Sequence, residues 1–263
     1  MTACVVRFAV PPERLERDAS EYMTTEIGPT WPQESHKIIL NNLNPERQTP
    51  GKAASPIRQL ESKGFAILKD KSTSLGALHA QEKWNTAYLE ETAQMIKNQL
   101  GADEQKAIQG LQFGTVVRPV AASAHVDQDG PNSRRMCEGA ASEDVFERLA
   151  RMQQLNVWRP LKGPVTCKPM AVCEGSTVSP ESKSVHMGLF GTRVVVHHDA
   201  MQKWCFIKRQ EPNEVFILKI YDSQVLPGDA ECTPHTSVDE INGADGPQNS
   251  RESIEVRLVA CYY

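Results

Sequence analysis

The apolar positions of this chain fall into two regimes. Between Trp84 and Leu100 they recur at helical spacing. Trp84, Tyr88, Met95, Ile96 and Leu100 share a stripe, with Glu82 just before it and Glu90, Glu91 and Lys97 within it, and Gly101 follows as a C′ residue would. That stripe predicts a helix with one packing face. Ser142-Glu143-Asp144 predicts a second, because a serine cap and acids suit the positive end of a helix. Its buried side would be Val145, Phe146, Leu149 and Met152. Elsewhere the apolar residues come in blocks of strand length: 64–68, 111–120, 155–158, 170–173, 193–197, 204–207, 215–221 and 253–260. Pro119 interrupts the block 111–120, and Pro160 and Gly163-Pro164 stop the block 155–158. Helices early and many short strands late predict an α+β fold whose strands close as a barrel or sandwich.

Residues 1–60 show little periodicity and are punctuated by Pro11, Pro12, Pro29, Pro32, Pro45, Pro50 and Pro56. They read as an N-terminal arm packed on the core, anchored by Trp31 and Ile38-Ile39-Leu40, with residues 61–263 forming the main domain. The full length of 263 residues is enough for a substantial core. A net charge of −4 and the lack of a basic stripe argue against a nucleic-acid binder. No apolar run is long enough to span a bilayer, and residues 1–10 lack the layout of a secretory signal, so a cytoplasmic protein is expected. Seven scattered cysteines without a Cys-x-x-Cys predict reduced thiols rather than a disulfide framework.

Two short pieces carry candidate chemistry: Ala124-His125-Val126-Asp127-Gln128 and Thr233-Pro234-His235-Thr236. On a strand, Cβ directions alternate, so His125 and Asp127 leave one face. His235 would add a third donor. Two imidazoles and a carboxylate on one octahedral face leave the other positions open, the arrangement of non-haem Fe(II) oxygenases. The His-x-Asp pattern itself is cheap, since His197-His198-Asp199 is a second copy. Spacing decides between them. Asp127 and His235 are 108 residues apart, room for the predicted strands that must intervene; Asp199 and His235 are only 36 apart. Past His235 comes Arg251-Glu252-Ser253, in which the guanidinium and hydroxyl suit a carboxylate. Arg257 lies on the same strand face, about 20 Å further along. Arg251 is preferred because it opens the strand, nearer His235.

Asn156-Val157-Trp158-Arg159-Pro160-Leu161-x-Gly163-Pro164-Val165 resembles a hallmark of the fungal hydroxylase/desaturase family typified by the aspergillic acid enzyme. That family includes gibberellin desaturase-like and cephamycin methoxylation-like proteins. His125-Val126-Asp127-Gln128, Asn213-Glu214-Val215, Lys219-x-Tyr221-Asp222-Ser223, Thr233-Pro234-His235-Thr236 and Arg251-Glu252-Ser253-Ile254-Glu255-Val256-Arg257 extend the match, in order, over roughly residues 60–263. The chain departs from the family pattern at Arg118-Pro119, where a basic cluster is thinned. It departs again over 184–204, where only Lys203-Trp204-Cys205-Phe206 retains part of an aromatic-rich segment.

The resemblance implies a distorted double-stranded β-helix, or jelly roll, with flanking helices. It implies an Fe(II)/2-oxoglutarate-dependent oxygenase that uses O2 to hydroxylate or desaturate a small molecule of fungal secondary metabolism. Transferred position by position, His125, Asp127 and His235 become the metal ligands, and Arg251 with Ser253 the cosubstrate clamp, Arg257 being the second choice. Gln128 and Trp158 are candidate substrate contacts, although a strand tryptophan is more often core. Arg159 is expected to tie down a turn, Asp222 to form one, and His197 and His198 to mark a solvated strand end. Two alternatives remain: a metal cupin that uses O2 without 2-oxoglutarate, and a catalytically silent partner subunit of a biosynthetic enzyme. A small-molecule substrate is expected, with no nucleic-acid or membrane partner and the oligomeric state left open.

Overall fold

The computed structural model describes residues 1–19, 22, 31–44, 54–75, 86–102, 104–107, 121–140, 147–188, 191–240 and 251–263. The strands are Thr2–Ala9 (β1), Gln33–Asn42 (β2), Phe65–Lys69 (β3), Glu104–Ala107 (β4), His125–Val126 (β5), Arg151–Pro160 (β6), Met170–Cys173 (β7), Lys183–Gly188 (β8), Gly191–Val196 (β9), Trp204–Phe206 (β10), Glu214–Asp222 (β11), His235–Ser237 (β12), Asp239–Glu240 (β13) and Ser253–Tyr262 (β14). The helices are Pro56–Lys63 (α1), Thr86–Leu100 (α2) and Gly130–Ala140 (α3). One sheet runs β13-β1-β2-β10-β7-β12-β5-β9-β8 and the other β3-β11-β6-β14-β4. Two curled sheets with helices on the outside form the jelly roll that the sequence predicts.

The smaller sheet is buried on both faces. Leu155, Val157, Val215, Ile217, Val256 and Leu258 pack outward against Leu60 of α1 and Tyr88, Ile96 and Leu100 of α2. Trp158, Phe216 and Leu218 alternate inward and meet Val126, Val172 and Cys205 of the larger sheet. Period-two alternation with two apolar sets explains why β6 and β11 read as near-continuous apolar runs. Gln154 and Asn156 are the polar exceptions on the inward face of β6, and Asn156 lies next to the site.

Residues 1–60, expected as a covering arm, instead supply β1 and β2 of the larger sheet. Cys4, Val6 and Phe8 alternate inward onto Leu40, Trp204 and Phe206. That alternation is present in the sequence but is hidden among the prolines that follow. The helix expected from Ser142 begins outside the described residues, as do Val145 and Phe146 of its predicted face. Met152 lies in β6, where pairing on both sides with β11 and β14 overrides helical spacing. The nearby helix is α3, opened by Asp129, whose Oδ1 accepts from Asn132 N at 3.1 Å. The predicted strand at 111–120 and residue Trp84 lie outside the described residues.

Gly64 ends α1 with φ 86° and receives close approach from the segment before His235. A Cβ there would stand 2.8 Å from Cys232 O, so only glycine fits. Thr233 donates its hydroxyl to Gly64 O and its N–H to Lys219 O at 2.7 Å. The entry to β12 is thereby fixed against the smaller sheet.

Candidate metal centre

β5 lies between β12 and β9, and His125 is the register partner of both His235 and Val195. The two imidazoles therefore face each other across one antiparallel pair, with ring centroids 4.6 Å apart. Each ring is oriented by its own backbone. Nδ1 of His125 is 2.8 Å from Ser123 O, and Nδ1 of His235 is 3.0 Å from Thr233 O. A carbonyl accepts only from an N–H, so each Nδ1 carries the proton and each Nε2 keeps its lone pair. Asp127 follows β5 directly. Its Oδ1 lies 3.4 Å from His125 Nε2 and 3.9 Å from His235 Nε2.

One ligand atom from each of His125, Asp127 and His235 falls within 4.8 Å of the others, and the two histidines are buried. These are the three sequence-predicted ligands, brought together. The donor set fits a divalent transition metal: two neutral imidazole nitrogens, one carboxylate oxygen, and backbone partners that fix both tautomers. Burial pushes the His235 imidazole down to about 4, with His125 adding to the effect, so it is neutral. For His125, burial favours the neutral ring, but the hydrogen bond and charge of Asp127 outweigh it and raise its proton affinity. Burial also opposes ionisation of Asp127. The His125 hydrogen bond and the charges of Arg257 and His235 nonetheless hold it well below the usual carboxylate range.

The other oxygen of Asp127 faces the smaller sheet. Asn156 donates its Nδ2 to Oδ2, and an Arg257 terminal nitrogen stands 3.3 Å away. Asn156 and Arg257 are register partners on β6 and β14, so one row of the sheet grips the carboxylate. In the next row Trp158 pairs with Glu255, whose Oε1 is 3.7 Å from Arg257 Nε. Burial, and then Asp127, push the Glu255 carboxyl up. Arg251 lies beyond the start of β14, yet its guanidinium sits 5.3 Å from the Trp158 ring centroid, within cation–π range. It donates to Lys168 O at 2.5 Å, and its Nε is buried without a partner. Ser253 begins β14 opposite Pro160.

The structure thus separates the two arginines. Arg257 reaches the Asp127 carboxylate, a contact that the strand spacing of the two arginines did not reveal. Arg251 lies one row off, over Trp158. Gln128 is buried, donates to Met136 Sδ, and leaves its Oε1 without a partner. Arg193 and His186 were not singled out from the sequence. Arg193 precedes Val194-Val195-Val196, and a cation heading a strand that abuts the His-x-Asp strand was the available signal.

Other residues take structural roles. Arg159 is 1% exposed and donates to Tyr88 Oη, Asp70 O, Pro212 O and the Asp70 carboxylate. Asp222 is not simply a turn former. It receives Arg151 at 2.9 and 2.5 Å, Gln153 at 2.8 Å and Lys219 Nζ at 3.1 Å. His197 is buried rather than solvated, bridging Ala9 O at 2.9 Å and Ser184 Oγ at 2.8 Å. His198 stacks on His36.

A domain model described as "Oxidoreductase/YMDC permease-like domain" matches residues 14–261. A relative named Fe(II)/2-oxoglutarate-dependent dioxygenase nvfI, from Aspergillus novofumigatus, is 28% identical over 249 residues, covering 85% of this chain and 82% of the relative. The hydroxylase/desaturase efuI of Hormonema carpetanum is 30% identical over 157 residues, covering 53% of this chain and 51% of its own. Among solved structures, the iron and alpha-ketoglutarate-dependent endoperoxidase NvfI superposes with a TM-score of 0.77 at 24% identity, over 99% of this chain and 98% of its own. Matched along nearly its whole length by the domain model, the chain belongs to this oxidoreductase family, and its homologues are fungal Fe(II)/2-oxoglutarate-dependent dioxygenases and hydroxylase/desaturases.

Proposed function

We propose that the chain is an Fe(II)/2-oxoglutarate-dependent oxygenase that hydroxylates or desaturates a small organic molecule, as its relatives' names describe. The observation that carries this is the convergence of one ligand atom each from His125, Asp127 and His235 within 4.8 Å, beside two half-buried arginines. His125, Asp127 and His235 would hold the iron. When bound, iron with 2-oxoglutarate supplies the activation of O2 that no side chain here provides. The residues of the chain orient and desolvate. Ser123 and Thr233 carbonyls fix the imidazoles, and Asn156 and Arg257 fix Asp127 by its second oxygen.

Arg251 is the proposed partner of the distal carboxylate of 2-oxoglutarate, with Ser253 adding a hydroxyl. Its guanidinium lies by Trp158, one two-residue step of about 7 Å along β6 from Asn156. A five-carbon diacid can bridge that step. Trp158 then serves as the face on which Arg251 rests, in place of the substrate contact expected from sequence. Arg257 is committed to Asp127 and Glu255, which makes it the second choice for the clamp. Gln128, with a buried unpartnered oxygen, remains a proposed substrate contact. No helix among the described residues is long and apolar enough to cross a membrane.

The test is turnover by the purified chain alone. Slow succinate formation from 2-oxoglutarate that requires Fe(II) and is lost in His235→Ala supports this reading. Iron binding without any succinate, or O2 consumption indifferent to 2-oxoglutarate, would favour a silent subunit or a cupin instead.

A further inference from the structure

Buried polar atoms almost always find partners. Around the metal centre several do not: Gln128 Oε1, Gln154 Nε2 and Oε1, Asn156 Oδ1, Arg251 Nε, Arg193 Nε and His186 Nδ1. The first five surround the proposed iron and cosubstrate region on or near the smaller sheet. Arg193 and His186 lie elsewhere, at the β8–β9 edge of the larger sheet, where they are register partners. Val195, the partner of His125, shares their strand face one row away. The pair therefore lies along the larger sheet from His125, whereas Asn156 and Arg257 approach Asp127 from the smaller sheet.

Both side chains are poised with complementary, unused hydrogen-bonding capacity. His186 has its Nε2 2.6 Å from Tyr22 O, which makes Nε2 the donor and leaves Nδ1 a buried acceptor. Its ring packs edge-on against Trp31, with centroids 5.7 Å apart. Arg193 makes no hydrogen bond or ion pair with a described residue; among the described residues, the carboxylate whose charge acts on it is Asp127, already held by Asn156 and Arg257. Ala9, Tyr22, Trp31 and Val195 form an apolar cluster alongside.

Charge balance points the same way. Among the described residues, Arg193, Arg251 and Arg257 meet two carboxylates, Asp127 and Glu255, in this interior. A divalent metal and a dicarboxylate cosubstrate would cancel each other, so the described residues supply at least one more positive than negative charge here. A buried charge without a counter-ion is costly.

On the reading of the site given above, we propose that Arg193 and His186 form the recognition end of the substrate pocket. The substrate is an organic acid with an apolar body, whose carboxylate or enolate oxygen is received by Arg193 and whose neighbouring hydroxyl donates to His186 Nδ1.

The test uses cinnamate and its neutral counterpart cinnamamide as probes. Their dissociation constants are measured on the full chain loaded with Mn(II) and saturated with 2-oxoglutarate. The acid should bind at least about tenfold more tightly than the amide. Arg193→Gln should abolish that preference, Arg193→Lys should retain part of it, and both variants should still bind Mn(II) and 2-oxoglutarate. Equal binding of acid and amide, no binding of either up to their solubility limits, or a preference that survives Arg193→Gln would overturn the proposal. Failure of the wild-type chain to bind Mn(II) and 2-oxoglutarate would instead overturn the metal-site reading on which it rests.

Discussion

Arg257 holds a guanidinium nitrogen 3.3 Å from Asp127, the carboxylate that both candidate imidazoles face. With Asn156 on the same oxygen, it fixes which lone pairs of Asp127 point to the centre. Groups that orient a metal ligand typically change affinity ten- to a hundredfold when removed, in round terms about 1.4–2.7 kcal/mol. Asn156→Leu should therefore weaken Mn(II) binding by about that factor while leaving the fold intact. Calorimetric titration of the variant checks this, and an unchanged affinity would remove Asn156 from the site.

Arg251 and Arg257 should separate experimentally. Arg251→Gln is expected to weaken 2-oxoglutarate by about 2 kcal/mol, the scale of a charge-assisted hydrogen bond, with Fe(II) affinity unaltered. Arg257→Gln should alter metal affinity first. Equilibrium binding of each ligand to each variant decides the assignment, and the opposite pattern would exchange the two roles.

Arg159 is a purely structural test. Its guanidinium satisfies the Asp70 carboxylate, two carbonyls and the Tyr88 hydroxyl in a buried setting. Arg159→Met leaves those acceptors without donors and should cost about 3–5 kcal/mol in urea unfolding. A change of under about 1 kcal/mol would mean that water replaces the guanidinium freely.

Glu91 gives a pH signature away from the site. Burial raises its carboxyl, but Ser72 Oγ at 2.6 Å and the N–H groups of Thr73 and Ser74 at 2.8 and 3.2 Å outweigh that and bring it down to about 2. A folded value below the ordinary 4.5 stabilises the protein above that pH, and the contribution is lost as pH falls toward 2. Because the carboxylate is partly solvent-exposed, screening limits this to about 1 kcal/mol or less. Glu91→Gln should be less stable than the parent at pH 7 and converge with it near pH 2. Parallel unfolding curves at every pH would contradict the linkage.

The fold class and the convergence of His125, Asp127 and His235 were legible because each has a signature in the sequence. Strand blocks with turn residues between them, and a 108-residue gap that only intervening strands can fill, are readable without contacts. What was not legible is cross-strand. The Arg257 position depends on its register with Asn156, which no linear spacing reveals. Met152 carried helical spacing into a residue that pairs with Cys261 of β14 and bonds Ser223, just past β11. Arg193 and His186 matter only because β8 and β9 pair, and a lone cation or imidazole gives no such warning in sequence.

The central claim is that His125, Asp127 and His235 hold one iron beside 2-oxoglutarate. Adding Fe(II) and 2-oxoglutarate to the chain under anaerobic conditions, and recording the visible spectrum, tests it most directly. The account predicts a metal-to-ligand charge-transfer band in the parent protein that disappears in His125→Ala. No band in the parent, or the same band in His125→Ala, would contradict it.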